Sequence, residues 1–141
     1  MLISTRGRYG VKALLDLALH DGEGPSSAKA VAARQGLPEP YLEQLMGPLR
    51  KAGIVRSVRG PQGGYVLGAP ARAITMRRVV EALEGDVTET GCGCGGEAPD
   101  CLDHTLWKRL GEHVASFLEG TTLADLVEER RLSELNPVYY I

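Results

Sequence analysis

Mainly α-helical with one small β-hairpin is the fold class that three features of this sequence predict. Tyr41, Leu42, Leu45, Met46 and Leu49 recur at helical spacing up to Gly53, where a left-handed cap is expected. Just upstream, Ser27 to Gln35 reads as a second short helix, ended by Gly36. Ile54 to Val58 and Tyr65 to Leu67 are β-branched or aromatic runs around Gly60-Pro61-Gln62-Gly63-Gly64, a hairpin signal. Helix, glycine turn, helix, hairpin is the order of a winged helix-turn-helix. Its second helix is sized for a DNA major groove and its hairpin forms the wing.

Upstream, Thr5 to His20 carries Val11, Leu14, Leu15, Ala18 and Leu19 at helical spacing, and Asp21-Gly22 ends it. Arg6, Arg8 and Lys12 lie in its first turns. Cations there oppose the helix dipole, so a DNA phosphate is a natural outside partner. Ser27 is placed to cap the next helix. Pro38 and Pro40 stand at the entry to the recognition helix, where a missing N–H costs nothing. Pro48 falls inside it and removes the bond to the Gln44 carbonyl, so a kink there, or a helix that changes character after Gly47, is expected.

The first turns of that helix present Tyr41, Glu43 and Gln44. Glutamine can pair bidentately with adenine, and glutamate can accept from cytosine N4 while being repelled by phosphate. Arg50 follows, and Arg59 stands at the base of the wing tip, where a side chain can enter a minor groove. With Arg6, Ser27 and Gln62, these are the candidate contacts to a double-stranded DNA operator.

Thr75 reads as the cap of a helix through Leu83, with Met76, Val79, Val80 and Leu83 inside and Gly85 as its end. Periodicity is lost from Asp86 to Asp103. A helix resumes near Thr105, with Leu106, Leu110, Val114, Phe117 and Leu118 as an apolar stripe and Trp107 beside it. A second stripe so far from the head points to a dimer helix, with Leu106, Trp107, Leu110, Val114 and Phe117 at the interface. Thr122 caps a short last helix, and Pro137-Val138-Tyr139-Tyr140-Ile141 is expected to dock. The organisation expected is a winged helix-turn-helix over 1–85, a cysteine-containing loop over 86–104, and a dimerisation helix with a C-terminal helix over 105–141.

Charge supports a nucleic-acid partner for the first half. Residues 1–78 hold twelve Lys/Arg against five Asp/Glu, a net of +7, and residues 79–141 hold four against thirteen, a net of −9. A basic head on an acidic body suits phosphate binding by the head alone. No apolar run has membrane length and no signal-peptide pattern opens the chain, so a cytoplasmic location without a membrane partner is expected. No nucleophile–base pair or phosphate loop is present, which argues against an enzyme.

All three cysteines fall between positions 92 and 101. Cys92, Cys94, Cys101 and His104 make a four-ligand set of thiolates and imidazole, and the glycines among them permit a tight fold around a centre. By ligand type an iron–sulfur cluster and zinc both fit, and exposed redox thiols are the simpler alternative.

Over nearly its whole length the chain resembles the bacterial winged-helix regulators of the IscR, NsrR and CymR type. The resemblance rests on Arg6-Gly7-Arg8-Tyr9-Gly10-Val11, on Tyr41-Leu42-Glu43-Gln44-Leu45, and on Ser57-Val58-Arg59-Gly60-Pro61-Gln62-Gly63-Gly64-Tyr65. It implies a homodimer on a pseudo-palindromic operator, held together by the long helix after the cysteine loop. In IscR-like members a histidine three positions after the last cysteine completes a 2Fe–2S site, and Cys101, His104 and Trp107 match that end. The other end departs, because Cys92 and Cys94 stand one residue apart, and which of them ligates stays open. NsrR-like members use an acidic ligand from the first helix where this chain has Arg8, which argues against a 4Fe–4S site. CymR-like members carry no cluster and respond through a partner protein. Ala73-Ile74-Thr75 and Leu83-Glu84-Gly85 look nearer to them, so zinc, thiol or partner sensing is the alternative to a cluster.

Overall fold

The structure, a computed structural model, describes residues 3–88 and 104–136. The elements run α1 (Thr5–Leu19), α2 (Ala28–Gln35), α3 (Glu39–Lys51), β1 (Val55–Val58), β2 (Gly64–Leu67), α4 (Met76–Glu84), α5 (His104–Glu119) and α6 (Leu123–Leu135). A single 3₁₀ turn, Ala71–Ala73, precedes α4. The expected winged helix-turn-helix order is present, with one long helix and a further helix behind it.

Helix α1 buries Gly7, Gly10, Ala13, Leu14, Leu17 and Ala18. This is a different face from the one periodicity selects: Leu19 is exposed and Val11 and Leu15 are only half-buried. The glycines explain the rotation. A Cβ on Gly10 would overlap Leu83 Cδ1, and one on Gly7 would lie 2.7 Å from Glu84 Oε1. Bare backbone at these two positions lets α4 sit directly on α1.

Helix α2 starts at Ser27, whose hydroxyl accepts from the Ala30 amide at 3.1 Å. It ends in a Schellman turn at Gly36 (φ 67°), with the Leu37 amide donating to the Ala32 carbonyl at 2.9 Å. Helix α3 follows at once and drives Leu42, Leu45, Met46 and Leu49 fully into the core. Burial of each such leucine contributes roughly 1.5–3 kcal/mol. Helical structure continues through Pro48 to Lys51 without a break, and Gly53 (φ 75°) supplies the expected left-handed residue.

Strands β1 and β2 pair antiparallel from Val55↔Leu67 to Val58↔Gly64. On the free edge of β2, Ser26 exchanges two backbone bonds with Tyr65, at 3.0 and 2.7 Å. A single antiparallel bridge therefore ties the segment before α2 to the base of the wing.

Thr75 caps α4. Next to it the Met76 amide donates to the Thr121 carbonyl and the Leu123 amide to the Ile74 carbonyl, both at 2.8 Å. These bonds strap the start of α4 to the turn between α5 and α6. Thr122 and Asp125 form a capping box, and α6 runs to Leu135, longer than the short helix expected. Ala115, Leu118, Leu123 and Val127 join the core made by α1, α3 and α4, so the C-terminal helices share one core with the head.

Candidate nucleic-acid interface and sensor segment

Glu43 and Gln44 both stand exposed on α3, on the face opposite Leu42, Leu45 and Leu49. Tyr41 is half-buried, and its ring meets the edge of Tyr9 at 6.1 Å between centroids. Lys12 Nζ lies 5.2 Å over the Tyr9 ring. Tyr41 thus takes part in packing α3 on α1 as well as standing near the exposed face. Arg50 donates to Ser57 Oγ at 3.4 Å, which ties the end of α3 to β1. Arg59 and Gln62 are exposed at the wing tip, closed by the Gly63 amide on the Gly60 carbonyl at 2.9 Å. Arg6 is exposed in the first turn of α1. Ser27 is exposed too, although its hydroxyl is already engaged as the α2 cap.

Two connections fix these parts, and neither follows from local spacing. Asp16 is the one buried charged residue among the described residues, 4% exposed. Arg34 grips it bidentately, with Nη2 at 2.8 Å from Oδ2 and Nε at 3.0 Å from Oδ1. Gln35 Nε2 donates to Oδ1 at 3.2 Å. The hydrogen bond to Asp16 raises the Arg34 pKa above its usual value, so the guanidinium stays charged. An aspartate set between Leu14 and Leu17 is the signal that sequence offers, since a carboxylate on a buried face must find a cation. The second connection runs from Arg78 Nη2 to the Ala52 carbonyl at 3.2 Å, which caps the C-terminal end of α3 from α4.

In α5 the apolar residues divide between two faces. Gly111, Ala115 and Leu118 pack into the chain's own core. Leu106, Leu110 and Phe117 are 59%, 38% and 71% exposed, with Trp107 and Val114 half-buried. Leu118 therefore belongs to the core and not to the outward stripe. Beside Phe117 an open groove of about 1130 Å³ runs between α1 and α6. Ile3, Val80, Leu126 and Leu132 give it apolar walls, with Arg8 and Lys12 on the α1 side and Asp125, Glu128 and Glu129 on the α6 side.

His104 is the exposed first residue of α5. Cys92, Cys94 and Cys101 lie outside the described residues, as does the tail from Pro137. Among the described residues no group of three or more His, Cys, Asp or Glu side chains is placed to hold a metal ion. None of the described helices is long and apolar enough to cross a membrane.

A helix-turn-helix with a wing, carried in one core with a long, partly apolar helix, defines a winged-helix transcriptional regulator. A model of the Rrf2 family, iron-dependent transcriptional regulators, matches residues 3–129. The HTH-type transcriptional regulator IscR of Yersinia enterocolitica is 46% identical over 139 residues, 96% of this chain and 84% of that protein. Among solved structures, CymR of B. subtilis, the global cysteine regulator, superposes with a TM-score of 0.79 at 42% identity, covering 92% of this chain and 98% of that one. T. potens IscR gives a TM-score of 0.78 at 40% identity, covering 99% and 94%. The chain belongs to the Rrf2 family of DNA-binding transcriptional regulators, which are not enzymes.

Proposed function

We propose that this chain is a cytoplasmic homodimeric regulator whose operator binding changes with the state of an iron–sulfur centre of the 2Fe–2S type. The observation that carries the reading is the position of His104. It is exposed at the start of α5, three residues after Cys101, on the helix that bears the outward apolar stripe. Three thiols and one imidazole are donors of the right chemistry for such a cluster. Cys101, His104 and one or both of Cys92 and Cys94 would hold it, and the cluster would supply a centre lost on oxidation or iron limitation. The likeness to IscR proteins and the iron-dependent description of the family support the same reading.

A second copy covers Leu106, Leu110 and Phe117 and the groove beside them, since stable pairing removes such apolar area from water. Two recognition helices then meet successive major grooves, with Gln44 and Glu43 toward the bases and Arg6, Ser27, Arg50, Arg59 and Gln62 toward the backbone or minor groove.

The test is an absorption spectrum of anaerobically purified protein with iron, sulfide and zinc assayed on the same sample. Visible bands with about two irons and two sulfides per subunit support the reading. Operator binding by cluster-bearing and cluster-free protein is then compared at one salt concentration, and equal affinities for the same sites sink the sensing role. A colourless protein even after reconstitution favours the second reading, a cluster-free regulator with zinc, thiol or partner-protein sensing, which the likeness to CymR supports.

A further inference from the structure

Asp16 costs α1 more than an apolar residue would, because a buried carboxylate must recover its lost hydration from partners. It has them: both Arg34 nitrogens and the Gln35 amide. The same Arg34 Nη2 also donates to Ser26 Oγ at 3.2 Å. Ser26 is the residue paired through its backbone with Tyr65 in β2, and it directly precedes the α2 cap Ser27. Here Gly64 leaves no slack, since a Cβ on it would overlap the Ser26 carbonyl oxygen. One carboxylate in the core of the head thus reaches, through a planar fork, the joint between α2 and the wing.

That joint borders a polar cleft of about 480 Å³, with Ser27 and Ala30 of α2 on one side and Gln62 and Gly63 of the wing tip on the other. Arg34 and His20 also line it. Two of the proposed backbone-contacting residues, Ser27 and Gln62, both line it. Glu23 lines the cleft as well, and Asp16 neutralises Arg34, so the arginine's part here is geometric more than a new phosphate contact.

We propose that Asp16 is a positioning residue for DNA recognition: through Arg34 and Ser26 it sets the angle between the wing and the helix-turn-helix. The inference rests on the reading that α3 enters a major groove and the wing lies on the flanking backbone and minor groove. Loss of the link leaves α3 in its groove, held by its own buried leucines, while the wing no longer registers with the flanking phosphates.

The experiment uses the full chain and a duplex selected from random sequence by the wild-type protein. Asp16→Asn keeps shape and removes charge. Affinity is measured well below the melting midpoint, together with its salt dependence, hydroxyl-radical protection of the backbone, and methylation protection in the major groove. The expected result is affinity weakened about tenfold, with a salt slope shallower by about 0.9 for each phosphate that the wing no longer reaches. Backbone protection fades at the flanks while methylation protection under α3 persists at saturation. A purely structural aspartate would lower the melting point and leave both footprints and the slope unchanged, and that outcome overturns the proposal. Equal fading of both footprints overturns it too. Should Asp16→Asn fail to fold, Arg34→Lys keeps the buried charge paired but cannot span Asp16 and Ser26 together. Absence of flank protection in Arg34→Lys supports the positioning role, and wild-type footprints in it overturn the role. A wild-type chain that selects no duplex overturns the DNA-binding reading itself, an outcome separate from all of these.

Discussion

Glu84 Oε1 lies 2.6 Å from the Ser4 amide nitrogen, joining the last residue of α4 to the residue that caps α1. The Ser4 hydroxyl donates to the same oxygen. A carboxylate at a helix N-terminus is favoured both by the free amides and by the dipole. Removing either partner as Glu84→Ala or Ser4→Ala is expected to cost about 1 kcal/mol in urea unfolding. The double variant should cost less than the sum of the two, because either substitution already breaks the bond from the Ser4 hydroxyl to Glu84, whereas the Ser4 amide bond survives Ser4→Ala and is lost only with Glu84. Full additivity would show that the hydroxyl–carboxylate bond contributes nothing.

Gly10 and Gly47 are both helical glycines, and their substitutions by alanine should differ in cost. At Gly47 an added Cβ meets no atom within 4 Å outside its chain neighbours. Pro48 follows, however, and its ring crowds a Cβ on the preceding helical residue. That offsets the helix-propensity gain of about 0.5–1 kcal/mol and leaves Gly47→Ala near neutral. At Gly10 the Cβ overlaps Leu83, itself buried, and overpacking of about 1–3 kcal/mol exceeds that gain. Denaturation midpoints of the two variants decide it; a stabilised Gly10→Ala would mean that Leu83 repacks freely.

Phe117 and Leu118 are neighbours on adjoining sides of α5, one exposed and one buried, which separates assembly from folding. Phe117→Glu leaves the core untouched and, on the proposed dimer, is expected to weaken self-association by about 30-fold or more, the scale of an aromatic interface anchor. Leu118→Glu places a charge in the core and should unfold the chain. Sedimentation velocity and circular dichroism on the pair report the two effects, and a Phe117→Glu protein of unchanged mass would remove this face from the interface.

Asp86 titrates below the ordinary aspartate value of 3.8, first because the Thr88 hydroxyl donates to its carboxylate and next because the Thr88 amide does. A lowered folded-state pKa means the contribution is complete above the unfolded value, near pH 4, and is lost as pH falls through the lowered one. Thr88→Val removes the hydroxyl donor and should move the Asp86 carboxyl titration, followed by NMR, upward toward its ordinary value. A titration unchanged in Thr88→Val would dismiss the hydroxyl as the cause.

The local signals in the chain are legible because each rests on neighbouring residues. Ser27, Thr75 and Thr122 cap helices where their spacing says they should, and Gly36 and Gly53 take left-handed backbone at helix ends. What escapes depends on a distant partner. Periodicity ranks side chains by apolarity and gives glycine no weight, whereas α4 approaches α1 where glycines leave room. That is why the buried face of α1 carries Gly7 and Gly10 and leaves Leu19 outside. Periodicity groups Leu118 with Phe117 for a related reason: α5 is apolar on two adjoining sides, and only the position of α4 decides which side is inward. For the candidate site, the exposure of Glu43, Gln44, Arg59 and Gln62 follows the local pattern. The Asp16–Arg34 pair joins residues far apart in the chain, so its partner is not readable from spacing.

The strap between α4 and the α5–α6 turn also bears on modularity. Its bonds are main chain to main chain, so substitution at Ile74, Met76, Thr121 or Leu123 leaves its donors and acceptors in place unless proline is introduced. Cutting the polypeptide between α4 and α5 does what point mutation cannot. Loss of the second piece takes Ala115, Leu118, Leu123 and Val127 out of the shared core and leaves the Ile74 carbonyl and the Met76 amide without their partners across the strap. A fragment ending near Gly85 is therefore a poor surrogate for the intact regulator, and grafting this head onto another sensory module would require carrying α5 and α6 with it.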